Sequence, residues 1–192
     1  MDNFYLKQLL EGNKRFVKGE LSPKNIIGDR EKVACEQNPY AIILTCSDSR
    51  VPPEIIFDES LGRLFVVRVA GNVIDDVTAA SIEFGITQFN IKFILVLGHE
   101  DCGAVKSAAK SLDISTNLNK VINLIAPAVL ECNNPKHDPN VLSKIIKANV
   151  KNQIKNCSQK SIIIQDLLNK GEIEIMGAFY KIKTGEVIFF NL

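Results

Sequence analysis

Three short runs of this chain are almost unbroken in apolar residues: Ala41–Thr45 (AIILT), Leu64–Ala70 (LFVVRVA) and Ile91–Leu97 (IKFILVL). They are rich in Val and Ile and lack the in–out alternation of a half-solvated strand. That pattern predicts strands covered on both faces, hence a parallel sheet. Between the second and third runs, Asp76–Phe89 (DVTAASIEFGITQF) has helical character. A strand, a helix and a strand of this length predict a right-handed crossover. Beyond Gly103 the spacing predicts helices over 104–111, 118–130, 140–156 and 159–169. Two last strands, Glu172–Tyr180 and Glu186–Phe190, flank the turn KTGE and read as a hairpin at a sheet edge. The expected class is α/β: a central, mostly parallel sheet flanked by helices, with an antiparallel C-terminal edge hairpin.

Ahead of the first strand, residues 4–18 place Leu6, Leu9, Leu10, Phe16 and Val17 near one helical face, followed by a linker-like stretch from Gly19 to Gly28. The chain therefore divides into an N-terminal helical arm, 1–34, and an α/β domain, 35–192. The pattern fits a helix packed on its own domain as well as an arm laid across a partner subunit. At 192 residues, 46% apolar and 23% charged, the composition is that of a soluble globular protein. A net charge of +1 gives no global field toward nucleic acid or membrane. No apolar run is long enough to span a bilayer, and the N-terminus lacks the apolar centre of a signal peptide, so the cytoplasm is expected. The lysines between Lys136 and Lys160 read as a solvated helix face. Five irregularly spaced cysteines in a chain of this size do not suggest a disulfide framework.

Open parallel sheets bind ligands beyond the carboxyl ends of their strands. The three predicted ends carry CSDSR (46–50), RVAGN (68–72) and GHEDCG (98–103). One of only two histidines and two of the five cysteines would meet there. His99 and Cys102 are three apart at a helix start, a spacing that puts both on one side. The helix N-terminus favours a Cys102 thiolate. With Cys46 from the neighbouring strand, two thiolates and an imidazole make a donor set suited to Zn²⁺. HxxC alone is equally served by a core histidine and a buried thiol. Asp48 lies two residues past Cys46, and Arg50 can grip its carboxylate with a planar fork. Asp48 then has two stations: on the metal as fourth ligand, or on Arg50 with that position open. An ordinary loop salt bridge is the plainer reading of the same pair. A phosphatase loop is excluded, because it needs five residues between Cys and Arg and here there are three.

These motifs resemble those of the β-class carbonic anhydrases. The likeness extends to LLEGNKRF (9–16), ESLGRLFVVRVAGNV (59–73), SIEFG (81–85) and GAFYKIKTGEV (177–187), and so covers essentially the whole chain. It implies one zinc per subunit on Cys46, His99 and Cys102, with Asp48 joining only in a closed state, and Asp48 and Arg50 as the catalytic dyad. Gln37, nine residues before Cys46, matches the family's substrate amide. Gly103 would offer a backbone N–H to bicarbonate, and Phe65 and Phe84 would line the apolar CO₂ pocket, Phe84 from the partner subunit. Ala70 stands where many members carry a larger residue, which implies a roomier pocket. The family is built on dimers, often paired into tetramers, with the arm crossing between subunits, so the apolar face of the arm and Phe84 would be exposed in a monomer.

The implied reaction is reversible hydration of CO₂ to bicarbonate and a proton, with zinc making hydroxide available near neutral pH. Two thiolates leave the metal a weaker acid than three histidines would, so activity is expected to rise from about pH 7 to about pH 9. No proton shuttle is evident: His137 sits in the polar stretch NNPKHDPN. The chain has no Trp, and Ile43 stands three residues before Cys46, so the inhibitory bicarbonate pocket that some bacterial members build around a tryptophan is expected to be absent. Competing readings are a COS or CS₂ hydrolase on the same scaffold, a non-catalytic zinc protein, and a thiol redox protein using Cys46 and Cys102.

Overall fold

The computed structural model describes residues 4–111, 115–132 and 140–190. His137 and Lys136 lie outside them. The sheet has five strands, β1 (Ala41–Thr45), β2 (Leu64–Arg68), β3 (Phe93–His99), β4 (Glu174–Tyr180) and β5 (Val187–Phe190), in the order β2-β1-β3-β4-β5. The pairs β1–β2, β1–β3 and β3–β4 are parallel, and β4–β5 is the antiparallel edge pair. The expected α/β class is therefore what the chain adopts. Helix α4 (Asp76–Phe89) carries the chain from β2 over β1 to β3, so β1 sits between the two strands that the crossover joins.

Alternate residues of β1 feed two cores. Ala41 and Ile43 face one cluster with Leu95, Phe57 and Leu9, while Ile42 and Leu44 face another with Ile82, Ile94, Val150 and Ile154. Every residue of β1 and β3 is buried, as the unbroken apolar runs require. β2 is different: it forms an open edge and four of its five residues retain some exposure. Its apolar character thus serves something besides cover on both faces within this subunit.

Boundaries moved where local chemistry overrode the apolar pattern. β3 starts at Phe93 and continues through Gly98 to His99, because β4 pairs with it to the end. β2 stops at Arg68 and a short turn, Ala70–Asn72, takes over with Gly71 and Asn72 at positive φ. Helix α7 (Val141–Lys160) absorbs the start expected of the next helix, which begins only when Ser161 accepts a hydrogen bond from the Ile164 amide and caps α8 (Ile162–Asn169). The described lysines of α7, at 144, 147, 151, 155 and 160, are all exposed.

Helix α1 (Phe4–Lys18) packs on its own domain. Leu9 is fully buried, and Leu6 and Phe16 pack against the same core as Ile43. Asn13, also buried, donates to the carbonyls of Ile56 (3.2 Å) and Gly185 (2.8 Å) and accepts from the Val187 amide (2.8 Å). Gly12 is required there, since a Cβ would sit 1.8 Å from the Phe57 carbonyl oxygen. The expectation that the arm's apolar stripe would be bare in a monomer is thereby corrected. What remains exposed in the arm is Phe4 and Val17 near the two ends of α1, Leu21 in the link, and α2 (Ile26–Lys32), which has no buried residue and presents Ile26 and Ile27 at 67% and 66% exposure.

The link between α1 and α2 is tied down at Asp58, whose side chain is wholly buried and accepts from Arg15 Nε (2.6 Å), from the amide and hydroxyl of Ser22 (3.0 and 2.8 Å) and from Lys24. Burial raises the cost of ionising this carboxyl, but the hydrogen bonds from Lys24, Arg15 and Ser22 outweigh it and hold its pKa well below the usual range. A depressed carboxylate pKa stabilises the fold above the unfolded-state value and ceases to do so as pH falls toward the folded one. Asp58→Asn keeps a residue that tolerates the positive φ of this position. It is expected to lower stability at neutral pH by about 2 kcal/mol, less than a fully buried pair because the Arg15 and Lys24 heads stay partly solvated. Denaturant titrations across pH should show the gap to the parent protein narrowing below about pH 4; a constant gap would contradict the assignment.

Candidate metal centre

Register places the first donor. Thr45 pairs with Leu97, so Cys46, the next residue out of β1, stands beside the end of β3 where His99 lies. The Thr45 hydroxyl donates to the Leu97 carbonyl at 3.0 Å and holds the two ends together. After β3 the chain turns through Asp101 at positive φ and enters α5 (Gly103–Ala109) with Cys102 at its N-cap. The result is a buried cluster in which one ligand atom each from Cys46, His99 and Cys102 lies within 4.8 Å of the others, the two sulfurs 4.0 Å apart.

The imidazole is oriented for ligation. Its Nδ1 lies 2.8 Å from the Glu100 carbonyl oxygen, which can only accept, so Nδ1 carries the proton and Nε2 the lone pair. Nε2 is buried and has no hydrogen-bond partner. A buried lone pair without a donor is costly, and a cation shared with two sulfurs removes the cost. The thiols make the same demand. Hydrogen bonding from Cys102 lowers the Cys46 pKa against its burial, with help from the Gly71 amide. The Cys102 pKa is pushed up by the adjacent Cys46 sulfur and by burial, while the Val105 and Ala104 amides at the helix start pull the other way. One proton leaves this pair easily and the second only if a positive charge arrives. The residues present therefore fit a borderline-soft cation such as Zn²⁺.

Asp48 is not part of the cluster. Arg50 grips its carboxylate by Nε (2.9 Å) and Nη2 (2.7 Å), and the Arg50 backbone amide adds a third hydrogen bond at 3.0 Å. The guanidinium hydrogen bond holds the Asp48 carboxyl well below the ordinary range. Of its two expected stations, Asp48 occupies the one on Arg50.

Arg68 plays a part that no spacing argument assigned. At the end of β2, its Nε donates to the Cys46 carbonyl (3.1 Å) and its Nη2 to the Asp48 carbonyl (2.6 Å), so it fixes the main chain of the loop that carries ligand and dyad. Its register position opposite Thr45 brings it there. Gly71 is a second such residue: its amide donates to Cys46 Sγ at 3.3 Å. Ala70 lies in the same turn, and Gly103 opens α5 with free space around its Cα.

The remaining expected residues do not reach this cluster within the subunit. Phe65 pairs with Ile42, four residues back from Cys46, which is about 13 Å along a strand. It packs instead with Phe84 and Phe89 of α4, at ring separations of 6.3 and 5.9 Å. Gln37 is exposed near Gly62, ahead of both β1 and β2, at the opposite end of the sheet from Cys46.

A mostly parallel sheet with a thiol–imidazole cluster at its strand ends and a gripped carboxylate beside it defines a class, an α/β protein with a donor set that fits a metal ion. The sequence profile of the carbonic anhydrases matches residues 41–187, and the chain belongs to the carbonic anhydrase family. Carbonic anhydrase 2 of Mycobacterium tuberculosis is 35% identical over 187 residues, covering 95% of this chain and 89% of that one. The structure of the β-carbonic anhydrase CcaA is similar with a TM-score of 0.78 at 28% identity, covering 97% of this chain and 88% of that one. One of two tetrameric β-carbonic anhydrases from Sordaria macrospora is similar with a TM-score of 0.76 at 25% identity, covering 84% and 85%. The fold class and the enzyme class agree: this is a carbonic anhydrase of β type, and the hydration of CO₂ is the activity that goes with the family.

Cys46→Ala and His99→Ala are each expected to abolish stoichiometric metal binding while leaving the far-ultraviolet circular dichroism unchanged, since the sheet is closed by cores that do not include the imidazole. Metal analysis of the purified variants decides it. Full zinc occupancy in either would remove that residue from the ligand set.

Proposed function

We propose that the chain hydrates CO₂ with one zinc ion per subunit held by Cys46, His99 and Cys102, and with Asp48 and Arg50 as its catalytic dyad. The observation that carries the proposal is the two-pronged Arg50–Asp48 contact beside the buried cluster. A purely structural site has no need of a carboxylate held off the metal.

Bound zinc would supply the Lewis acidity that lets water ionise near neutral pH. The protein's own groups do the rest. Asp48, kept ionised by Arg50, can only accept hydrogen bonds. A water or hydroxide beside it must donate to it, which turns an oxygen lone pair toward CO₂. Arg68 keeps Asp48 in place by holding the main chain on either side of Ser47. The Gly103 amide, at the start of α5, is the donor proposed for bicarbonate, and a Cβ at that position would meet nothing within 4 Å.

The CO₂ wall and the substrate amide come from another subunit. Phe65, Phe84 and Gln37 lie toward the amino end of the sheet, away from their own cluster, and Phe84 is 52% exposed beside Val77 at 75%. An open β2 edge and the bare α2 lie on the same chain, so we assign the protein a homodimer, or a tetramer of paired dimers, with α2 rather than α1 as the part of the arm that crosses. The tetrameric Sordaria relative supports that reading. No helix among the described residues is long and apolar enough to cross a membrane, and all five cysteines are unpaired, which fits the cytoplasm.

Stopped-flow CO₂ hydration run beside COS hydrolysis tests the substrate: turnover of COS without CO₂ would reassign it. Arg50→Ala is expected to lower kcat/KM by at least about 100-fold with zinc still bound, because Asp48 loses both prongs of its hold. Unimpaired turnover would take the dyad out of the mechanism. Phe84→Glu should shift the sedimentation profile toward monomer and lower activity together. A fully active compact monomer would refute the shared site.

A further inference from the structure

Behind Cys46 a buried polar strut runs from α7 to the Ala70–Asn72 turn. Asn149 and Gln153, both fully buried, are i and i+4 on α7 and hydrogen-bond each other, Gln153 Nε2 to Asn149 Oδ1 at 3.0 Å. Asn149 Nδ2 donates to the Gly71 carbonyl at 2.9 Å. Gln153 Oε1 accepts from the Ile74 amide at 2.9 Å, and its Nε2 also donates to the Leu124 carbonyl at 3.1 Å. The middle of the turn and the chain just past it are thus held from one helix. The turn needs holding: Gly71 and the non-glycine Asn72 both sit at positive φ (69° and 46°), and a Cβ at residue 71 would come 2.7 Å from Ile125 Cδ1. Its outward product is a single aimed donor, the Gly71 N–H, 3.3 Å from Cys46 Sγ.

We propose that Asn149 and Gln153 are positioning residues of the metal centre, acting through the Gly71 turn to aim its N–H at the Cys46 sulfur. The inference rests on the zinc reading above. A hydrogen bond to a ligating sulfur fixes the direction in which its lone pairs point and tempers its charge, so losing it costs metal affinity and changes the electronics of the sulfur–metal bond. Such a bond matters most in a site where two thiolates already neutralise the ion. Polar residues that only satisfied one another in the core would leave the metal indifferent to their loss.

The test is Asn149→Leu, close to Asn in size, which removes the donor to Gly71. Ile154→Ala, on the same helix but packed into the core beneath β1, serves as a control for simple loss of stability. Each protein is loaded with Co(II), the energy of its thiolate-to-cobalt charge-transfer band is recorded, and zinc affinity is measured by chelator competition. Asn149→Leu is expected to shift the band and weaken zinc about 10- to 100-fold. Ile154→Ala should lower Tm and change neither. An unchanged band and affinity in Asn149→Leu, or equal changes in Ile154→Ala, overturns the proposal. Should Asn149→Leu not fold, Asn149→Ser carries the same comparison. In the parent protein loaded with an NMR-active cadmium isotope, the Gly71 amide proton should couple to the metal, and absence of that coupling overturns the proposal without any variant. A parent protein that takes up no metal overturns the zinc reading and this inference with it, whereas metal uptake unaffected by Asn149→Leu overturns the inference alone.

Discussion

Two thiols and an imidazole buried within 4.8 Å of one another cannot satisfy each other. The imidazole has spent its proton on the Glu100 carbonyl, and the sulfurs can share one proton but resist losing the second. Only a cation meets all three demands, and the surrounding architecture keeps them from being met otherwise. Thr45 and Leu97 clamp the strand ends, Arg68 clamps the loop, and the Gly71 turn closes the back. Each clamp is a hydrogen bond to or from the main chain, so the donors are placed by backbone rather than by flexible side chains. That is the rigidity a metal site needs if ligand geometry is to select the ion.

The same sheet divides its labour between its two ends. The carboxyl ends of β1 and β3 carry the charged chemistry, while the amino half of β2 and the outer face of α4 carry an aromatic cluster of Phe65, Phe84 and Phe89. In the proposed reaction a small apolar substrate would use both surfaces at one point, and one subunit does not bring them together, because a parallel strand holds its two ends apart. In the proposed dimer a symmetric partner would bring one subunit's aromatic face to the other's strand ends. The open β2 edge and the exposed Val77 and Phe84 are costs for an isolated chain that such an assembly would turn into contacts.

Much of this was legible in residue order. The unbroken apolar runs marked β1 and β3, and the strand-end rule put Cys46, His99 and Cys102 at one place before any coordinates were needed. The bounds of α4 matched residue for residue because Asp75 caps its start and Asn90, at positive φ, ends it. The run at β2 carried an ambiguity that periodicity does not resolve: an apolar edge strand looks like a central one. The fate of α1 was hidden for a related reason, since an apolar stripe shows that a helix will be covered and not by what. Asn13 decided it, through three hydrogen bonds to segments as far away as residue 187. Arg68, Asn149 and Gln153 were equally out of reach, because their partners are backbone groups brought near only by the finished fold.

The two stations of Asp48 can be weighed against what holds the loop. Arg68 fixes the carbonyls of Cys46 and Asp48, so the main chain of this segment is pinned whichever way the carboxylate points. Movement of Asp48 toward the metal is therefore confined to its side chain, unless Arg68 lets go. Leaving Arg50 costs both guanidinium bonds and the bond from the Arg50 amide. Rotation toward a metal held by Cys46, His99 and Cys102 would give up these three donors for one ligand bond. The balance lies with the open arrangement as long as Arg68 stays bound.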